Sequence, residues 1–541
     1  MITDKTIRRP LLATLLAALL TLATASLHGE TAYYFGPSSG ATGWTTTGNW
    51  YTDTDQSTSF GGIPGANDDI IIMGDASRIL EVRDATTGPI SSGNITFGPH
   101  TTGYHSLLIG TGTLTVGGGT GTVANNAGSS SFIVINGAAV LNASAVNAGD
   151  LELRSGGSLT IGAGQIYTAT SSVTLGRGGS GATDTETGAI TSVSTLTIDG
   201  GTLKTYSIAN YDNNSKALGV INFNSGVLNL THSSYTAASI NGRTIGGVDY
   251  TTTIKLGDSG PASTRTLTIS RKTTVGPLAS FADADGVHGS LKKDGTAELV
   301  LQSAQTFTGE FEIAAGKVTL DTNGSLAASV INLSASAASL DINAKTTGWT
   351  LAATQTLAGT GTINGKTGNT NITVLGTLAA GSNVKFDLGT GTVDLSSAKF
   401  GYDAVKGAAT FTLTGSTTAS FAANGDTPAL TFNQLTLSDL ATLPVGDETT
   451  PVTIFTSPVA INTFDLTGVV GTHDYLESGT TYTLSITAGT DNKSLQMQIL
   501  STAAVPEPAA TAATLGALAT FAALALRHHR RQHKTQPAAH R

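Results

Sequence analysis

Any chemistry in this chain must come from carboxylates, histidines and hydroxyls, because its 541 residues include no cysteine. Disulfide staples, thiol nucleophiles and thiolate metal sites are thereby excluded, and stability has to rest on burial. Four of the ten histidines, His528, His529, His533 and His540, lie in the last stretch of chain. The others, His28, His100, His105, His232, His288 and His473, form no His-x-His or His-x-x-x-His pair, so no zinc site is predicted. Carboxylates stand close together at Asp53 with Asp55, Asp68 with Asp69, and Asp283 with Asp285. A polysaccharide hydrolase or lyase needs two or three such groups converging on one outward face. Residues 101–200 are almost uncharged, and a groove there would lack its acid and base. Asp283-Ala284-Asp285-Gly286 opens as a calcium loop does, but it lacks the third oxygen ligand two residues on and a Glu at position twelve. A solvated turn is expected there, and Asp68-Asp69 reads as a turn into Ile70-Ile71-Ile72. With no Ser-His-Asp order, phosphate-binding glycine loop or nucleotide fingerprint, no catalytic residue, cofactor or metal is predicted.

Hydroxyls are the abundant polar groups. Thr-x-Thr recurs at Thr111-Gly112-Thr113, Thr113-Leu114-Thr115, Thr266-Leu267-Thr268 and Thr481-Tyr482-Thr483. Stacked into a flat array, such threonines could bind ice or a glycan surface; threonine is also simply a good polar strand former. The 28 basic and 37 acidic residues leave a net charge of −9, which argues against nucleic acid as a partner.

The elements that position these groups are short. Alternating runs recur at Leu114-Thr115-Val116, Ile133-Val134-Ile135, Leu151-Glu152-Leu153, Leu159-Thr160-Ile161 and Leu196-Thr197-Ile198. They continue at Leu228-Asn229-Leu230, Leu267-Thr268-Ile269, Leu299-Val300-Leu301 and Val318-Thr319-Leu320. Period-two alternation predicts half-buried strands too short to stand alone. Turns precede strands at Asn136-Gly137, Gly156-Gly157, Gly200-Gly201, Ser225-Gly226, Ala315-Gly316 and Leu375-Gly376, at spacings near multiples of about 20–25 residues. Strands and glycine corners repeating at that interval, among 66 glycines, predict a β-solenoid, with a β-sandwich array as the structural alternative. Trp44 and Trp50 stand where the first coil should start and read as an N-terminal cap; the alternative is an aromatic platform for sugar rings.

Asp294-Gly295-Thr296-Ala297-Glu298-Leu299-Val300-Leu301, Thr306-Phe307-Thr308-Gly309 and Ala315-Gly316-Lys317-Val318-Thr319-Leu320 resemble the autotransporter-associated β-strand repeat of bacterial passenger domains. Gln305 and Phe307 stand where that repeat usually has Asn and Tyr. Leu357 to Ile363 and Gly376 to Gly381 are similar to the end of the same repeat, with Ala380 at a usual Pro. The resemblance spans about residues 291–381 and implies a right-handed parallel β-helix. It does not imply an autotransporter, because the chain ends in a basic tail and not in amphipathic barrel strands.

Both ends read as targeting segments. Lys5, Arg8 and Arg9, the apolar run Leu11 to Leu22 and Ala23-Thr24-Ala25 predict a signal peptide over 1–25, by the general or the twin-arginine route. At the other end Val505-Pro506-Glu507-Pro508 precedes the uncharged stretch 509–526, just long enough to cross a bilayer, and the basic tail 527–541. Arg527, Arg530 and Arg531 would hold that tail on the cytoplasmic side. The three-part order resembles the PEP-CTERM sorting signal, which implies Pro506, Glu507 and Pro508 as the processing motif and an exosortase-type enzyme as partner. Setting aside three basic and one acidic residue in 1–25 and five basic residues in 509–541 leaves 20 basic and 36 acidic, a net of −16.

The domain order expected is signal peptide 1–25, cap and first coils 26–100, β-helix 101–500, linker 501–508, transmembrane helix 509–526 and cytoplasmic tail 527–541. The fold class expected is all-β, a right-handed parallel β-helix. The function expected is that of an exported, non-enzymatic structural or adhesive protein, anchored by its C-terminal helix and then released to the cell surface or extracellular matrix. Its partners would be extracellular polysaccharide or neighbouring surface proteins, with no nucleic acid. The rivals are a polysaccharide lyase or hydrolase on the same scaffold and an ice- or glycan-binding solenoid.

Overall fold

The computed structural model describes residues 29–36, 42–74, 77–83, 90–100, 102–125, 131–136, 139–154, 156–177, 192–210, 217–230, 237–241, 243–245, 248–257, 260–424, 427–446, 450–457, 464–491, 493–505, 519–520 and 522–527. Among these the chain is all-β, with a large sheet of mostly parallel strands, compatible with a β-helix. Apart from single 3-10 turns, the helical residues are 519, 520 and 522–527, and no helix among the described residues is long and apolar enough to cross a membrane. The expected signal peptide, Pro506, Glu507, Pro508, most of 509–526, Arg530 and Arg531 lie outside the described residues; Arg527 is helical and exposed. Contacts divide the chain into two compact units, one of residues 1–373, 384–392 and 414–418, the other of 374–383, 393–413 and 419–541.

All nine strands predicted from alternation form, and in the first unit their register makes columns. One column runs Ala32, Ile70, Ile95, Val123, Val146, Tyr167, Leu203, Leu228, Leu267, each on the residue before it. A second runs Leu80, Leu107, Ile133, Leu151, Val173, Ile208, Ile240, Val275, Leu301, Leu320. A third contains Leu159, Leu196, Ile221, Ile254 and Phe281. These side chains are all buried. Parallel neighbours lie about 4.8 Å apart, so an inward residue in one coil must meet an inward residue in the next. The expected constant repeat does not hold: column partners are 18 residues apart from Ile133 to Leu151 and 39 apart from Leu228 to Leu267. The longer step contains an antiparallel hairpin, Arg243–Ile245 with Val248–Tyr250, inserted between strands that keep their register.

The corners between columns carry buried polar side chains that satisfy backbone groups. Lys293 is fully buried, stacked between Leu267 and Ile313, and its Nζ donates to the carbonyls of Gly295, Ala297 and Ala315 at 2.5–2.8 Å. Burial lowers its pKa to about 8, so it is still protonated at neutral pH, with three donors for three acceptors. Gly316, at φ +67°, leaves the space that this ammonium fills: a Cβ there would lie 2.7 Å from Lys293 Nζ. Arg265, also fully buried, donates to Ser290 O and Asn224 O, both at 2.7 Å. Gln165 and Gln355 share a local device. Each accepts from the N–H three residues earlier, Gly162 and Ala352, and donates to carbonyls of the coil below, Ala143 O for Gln165 and Leu326 O and Ala328 O for Gln355.

At its N-terminal end the strand Thr31–Tyr34 pairs in parallel with Asp69–Ile72 on one side and antiparallel with Trp50–Tyr51 on the other. The reversed strand covers an edge that would otherwise invite pairing. Trp44 and Trp50 are buried with ring centroids 5.3 Å apart, and Trp50 Nε1 donates to Trp44 O at 2.9 Å, so their faces are closed to sugar rings.

In the second unit Leu378, Phe400 and Leu435 stack in parallel register. Among the described residues the parallel strand ladder ends at Leu435–Ser438, with only isolated parallel bridges at Ala429–Asp465 and Val445–Ile499 beyond it, and does not continue to residue 500. From there an antiparallel sheet forms in the order Val452–Thr456, Ser494–Ala504, Thr480–Ala488, Gly471–Glu477. Ser478 and Gly479, at φ +49° and +80°, make the two-residue reversal that turns Gly471–Glu477 back on Thr480–Ala488. Gln434 repeats the corner device, accepting from Thr431 N–H at 2.9 Å. Tyr475 Oη accepts from Leu437 N–H at 3.0 Å and donates to Leu437 O at 2.9 Å, while Glu477 accepts from Asp439 and Leu440 N–H. Side chains of the antiparallel sheet thus occupy backbone groups of the last parallel strand.

Tyr475→Phe leaves both groups of Leu437 without that partner, at about 1–3 kcal/mol for a buried one. The expected outcome is faster hydrogen exchange at the Leu437 amide with the Thr453 and Ile486 amides unchanged. Unchanged exchange at Leu437 would deny the capping role.

Candidate functional site

The carboxylates singled out by sequence serve turns and coil contacts, and of the three pairs Asp53 has its partner Asp55 within side-chain hydrogen-bond reach. Asp53 accepts from the Ser57 N–H and O–H at 2.9 and 2.8 Å. Asp68 accepts from Glu30 N–H and Gly65 N–H at 3.0 and 2.7 Å, and Asp69 from Asn94 N–H at 2.6 Å. Asp283 accepts from Gly289 N–H at 2.7 Å, Thr308 N–H at 3.0 Å and the Thr308 hydroxyl at 2.6 Å. Each ties down a turn or joins neighbouring coils, as an Asx-type side chain does. Asp55 and Asp285 are exposed.

Of the described histidines only His100 and His105 lie together. His288 Nδ1 lies 2.6 Å from Thr308 Oγ1, the hydroxyl that Asp283 also holds. His473 Nε2 lies 2.8 Å from Val469 O, with its ring stacked on Phe432 at 4.2 Å. His100 and His105 face each other at 4.7 Å; His105 is fully buried, and burial, with His100 and Arg78 nearby, lowers its pKa to about 4. His28 and His232 lie outside the described residues. Among the described residues no three His, Cys, Asp or Glu are placed to hold a metal ion.

Two charged clusters were not anticipated. Lys272, Glu298 and Lys317 follow one another in register on successive coils, with Glu298 3.2 Å from Lys272 and 2.9 Å from Lys317, and Asp341, the register partner of Thr319, lies 3.6 Å from Lys317. Burial opposes the Glu298 charge, but hydrogen bonds from Thr319, Lys317 and Lys272 outweigh it and bring its pKa to about 2. Lys317 is raised by the same pairing against the effect of burial. A carboxylate held ionised beside Lys317, itself held protonated, has no proton to give or take near neutrality. In the second unit Asp439 is raised, chiefly by its hydrogen bond with Asp403, and Asp403 is lowered, first by the Lys406 N–H. The sequence signal for the first cluster was a charged residue, Lys272, Glu298 or Lys317, at or immediately before the start of each of three stacked strands; the second joins residues 36 apart that only folding brings together.

Three grooves are lined by described residues. One of about 680 Å³ crosses the strands Thr113–Val116, Val140–Asn142 and Ser158–Gly162 and is lined by Thr, Ser, Asn, Gln, Gly, Ala, Val and Leu with no charged residue. Another of about 530 Å³ holds His288, Thr308, Ala327, Ser329 and Thr354, and a third of about 450 Å³ includes Asp69 and Asn94. Register does not stack the Thr-x-Thr runs on one another. Thr113 and Thr115 meet Val140 and Asn142, Thr266 and Thr268 meet Lys292 and Asp294, and Thr483 donates to Asp474 at 3.0 Å. Comparison with family models, curated proteins and solved structures finds no match to this chain.

Two acid transitions are expected. His105 is neutral in the fold, with a pKa near 4 against 6.5 when unfolded, so its contribution, on the order of 3 kcal/mol, is complete above pH 6.5 and lost as pH falls through 4. Glu298, near 2 against 4.5, contributes fully above pH 4.5 and loses that contribution as pH falls through 2. Hydrogen exchange should therefore quicken first in Arg78–Arg83 and His105–Thr111, between pH 6.5 and 4, and only at lower pH in Lys317–Leu320. His105→Gln should abolish the first step; a first step that persists would assign it elsewhere.

Proposed function

We propose that this chain is an exported, non-enzymatic structural or adhesive protein. Its body is a right-handed parallel β-helix with neutral, hydroxyl-rich outer faces that adhere to extracellular polysaccharide or to neighbouring surface proteins. The signal peptide over 1–25 delivers it, the helix over 509–526 holds it at the membrane with Arg527, Arg530 and Arg531 inside, and an exosortase-type enzyme acts at Pro506-Glu507-Pro508. The observation that carries this reading is the use of the carboxylates: Asp53, Asp68, Asp69 and Asp283 are occupied by N–H groups of turns, and Glu298 is locked as an anion between two lysines. The resemblances of the tail and of residues 291–381 support delivery and scaffold.

A second reading, a polysaccharide lyase or hydrolase, draws on the Asp403 and Asp439 pair, whose shifts in opposite directions are those of an acid and a base. Incubation of the purified protein with neutral and acidic polysaccharides, with and without calcium, should release no reducing ends or unsaturated products. Release that disappears in Asp403→Asn or Asp439→Asn would replace the first reading by the second. For the sorting step, C-terminal mass spectrometry of the surface fraction should find the chain ending near residue 508, and Glu507→Ala should leave an uncut membrane form. An intact Arg541 at the surface would reduce the tail to a plain anchor.

A further inference from the structure

We propose that the groove between Val140–Asn142 and Ser158–Gly162 is a binding site for a segment of neutral polysaccharide. The proposal rests on the adhesive reading above and gives it a place and a ligand class. On this face Ile90–Ser92, Thr113–Val116 and Val140–Asn142 form a three-stranded parallel sheet, and Ser158–Gly162 pairs onward with the strand through Leu196. Between Val140–Asn142 and Ser158–Gly162, both fully described, no ladder pairing forms. The coils part there, and the groove of about 680 Å³ opens at the break, inside the roughly 300–1,000 Å³ range of small-ligand sites.

The break is sealed from within. Tyr167, fully buried, places its hydroxyl 3.4 Å from Leu141 O and 3.3 Å from Ala143 O. Gln165 donates to Ala143 O at 2.9 Å and accepts from Gly162 N–H at 2.6 Å. The Val140 N–H is bonded to Gly112 O at 2.8 Å. Leu141 O, Ala143 O and Gly162 N–H are thereby taken up from within the coil. What remains on the outer side is exposed Asn142, Ser158 and Thr160, whose amide and hydroxyls both donate and accept, and Thr120, whose hydroxyl donates to Gly117 O at 2.7 Å and can accept, around the half-exposed apolar side chain of Val140. A sugar ring offers the same combination, hydroxyls at its rim and an apolar face. With no charge in the lining and an acidic body around it, the groove gives an anionic polymer no counter-charge.

Affinity electrophoresis of the full chain in mild detergent tests this, with dextran, galactomannan or hydroxyethylcellulose as neutral polymers in the gel and alginate as the anionic one. Retardation is expected in at least one neutral gel and none in alginate. Thr160→Lys, which puts a long charged side chain into the groove from an exposed position, should weaken that retardation at least tenfold. Asn142→Ala should weaken it severalfold, and Thr354→Lys, outside this groove, should leave it unchanged. Retardation that survives both groove substitutions would overturn the site and leave the adhesive reading standing, whereas no retardation in any gel would overturn both the site and polysaccharide as the adhesive partner. Retardation in alginate alone would overturn the neutral class. Concentration-dependent self-association abolished by Thr160→Lys would assign the groove to strand pairing instead.

Discussion

The parallel backbone ladder between successive coils is the constraint from which the rest follows. Because it fixes residue upon residue, one aliphatic side chain at Ile133 commits Leu107 below and Leu151 above to the same column. A polar residue at such a position has no solvent to turn to. The exceptions sit where the chain bends: Lys293, Arg265 and the glutamines at 165, 355 and 434 each point into a corner and take up carbonyl or amide groups that the turn has removed from the ladder. In the first unit the reversed strand Trp50–Tyr51 covers the edge of Thr31–Tyr34, and in the second unit Tyr475 of Gly471–Glu477 takes up the Leu437 backbone of the last parallel strand.

The same constraint governs what the outer face can do. Outward residues stack as strictly as inward ones, so a functional array would need a repeat of fixed phase. Inserts such as the hairpin of Arg243–Ile245 with Val248–Tyr250 leave the register intact but change the sequence interval, and the Thr-x-Thr runs at 113–115 and 266–268 meet valine, asparagine, lysine and aspartate in the next coil. Where the ladder is interrupted, between Val140–Asn142 and Ser158–Gly162, an outer concavity forms in the least charged part of the chain.

The strands and their inward faces were legible because a half-buried strand writes its burial as period-two alternation, as in Leu196-Thr197-Ile198. The turn role of Asp68-Asp69 was legible too, since two carboxylates ahead of Ile70-Ile71-Ile72 have a local job to do. Corner residues were not. Nothing in the neighbourhood of Gln355 or Lys293 distinguishes a buried side chain from a solvated one, because the carbonyls they serve come partly from coils about 20–30 residues away. The antiparallel sheet at the end of the chain was missed for a different reason: Thr480–Ala488 alternates as a solenoid strand would, and only its nine-residue length and the Ser478-Gly479 reversal before it mark the change. The charge cluster around Glu298 left a faint trace, a charged residue entering each of several successive strands.

The most direct test of the account asks whether the coils stack in the stated register. Thr197 and Asn222 are outward partners in adjacent strands, and Lys255 is the partner of Asn222 one strand further. A disulfide requires Cα atoms about 4.4–6.8 Å apart, which adjacent parallel partners satisfy and partners two strands apart, at nearly 10 Å, do not. The chain has no cysteine of its own, so an introduced pair reports without interference. Thr197→Cys with Asn222→Cys is expected to close a disulfide readily in air, and Thr197→Cys with Lys255→Cys to remain reduced. Closure of the second pair and not of the first would contradict the stacking on which the whole account rests.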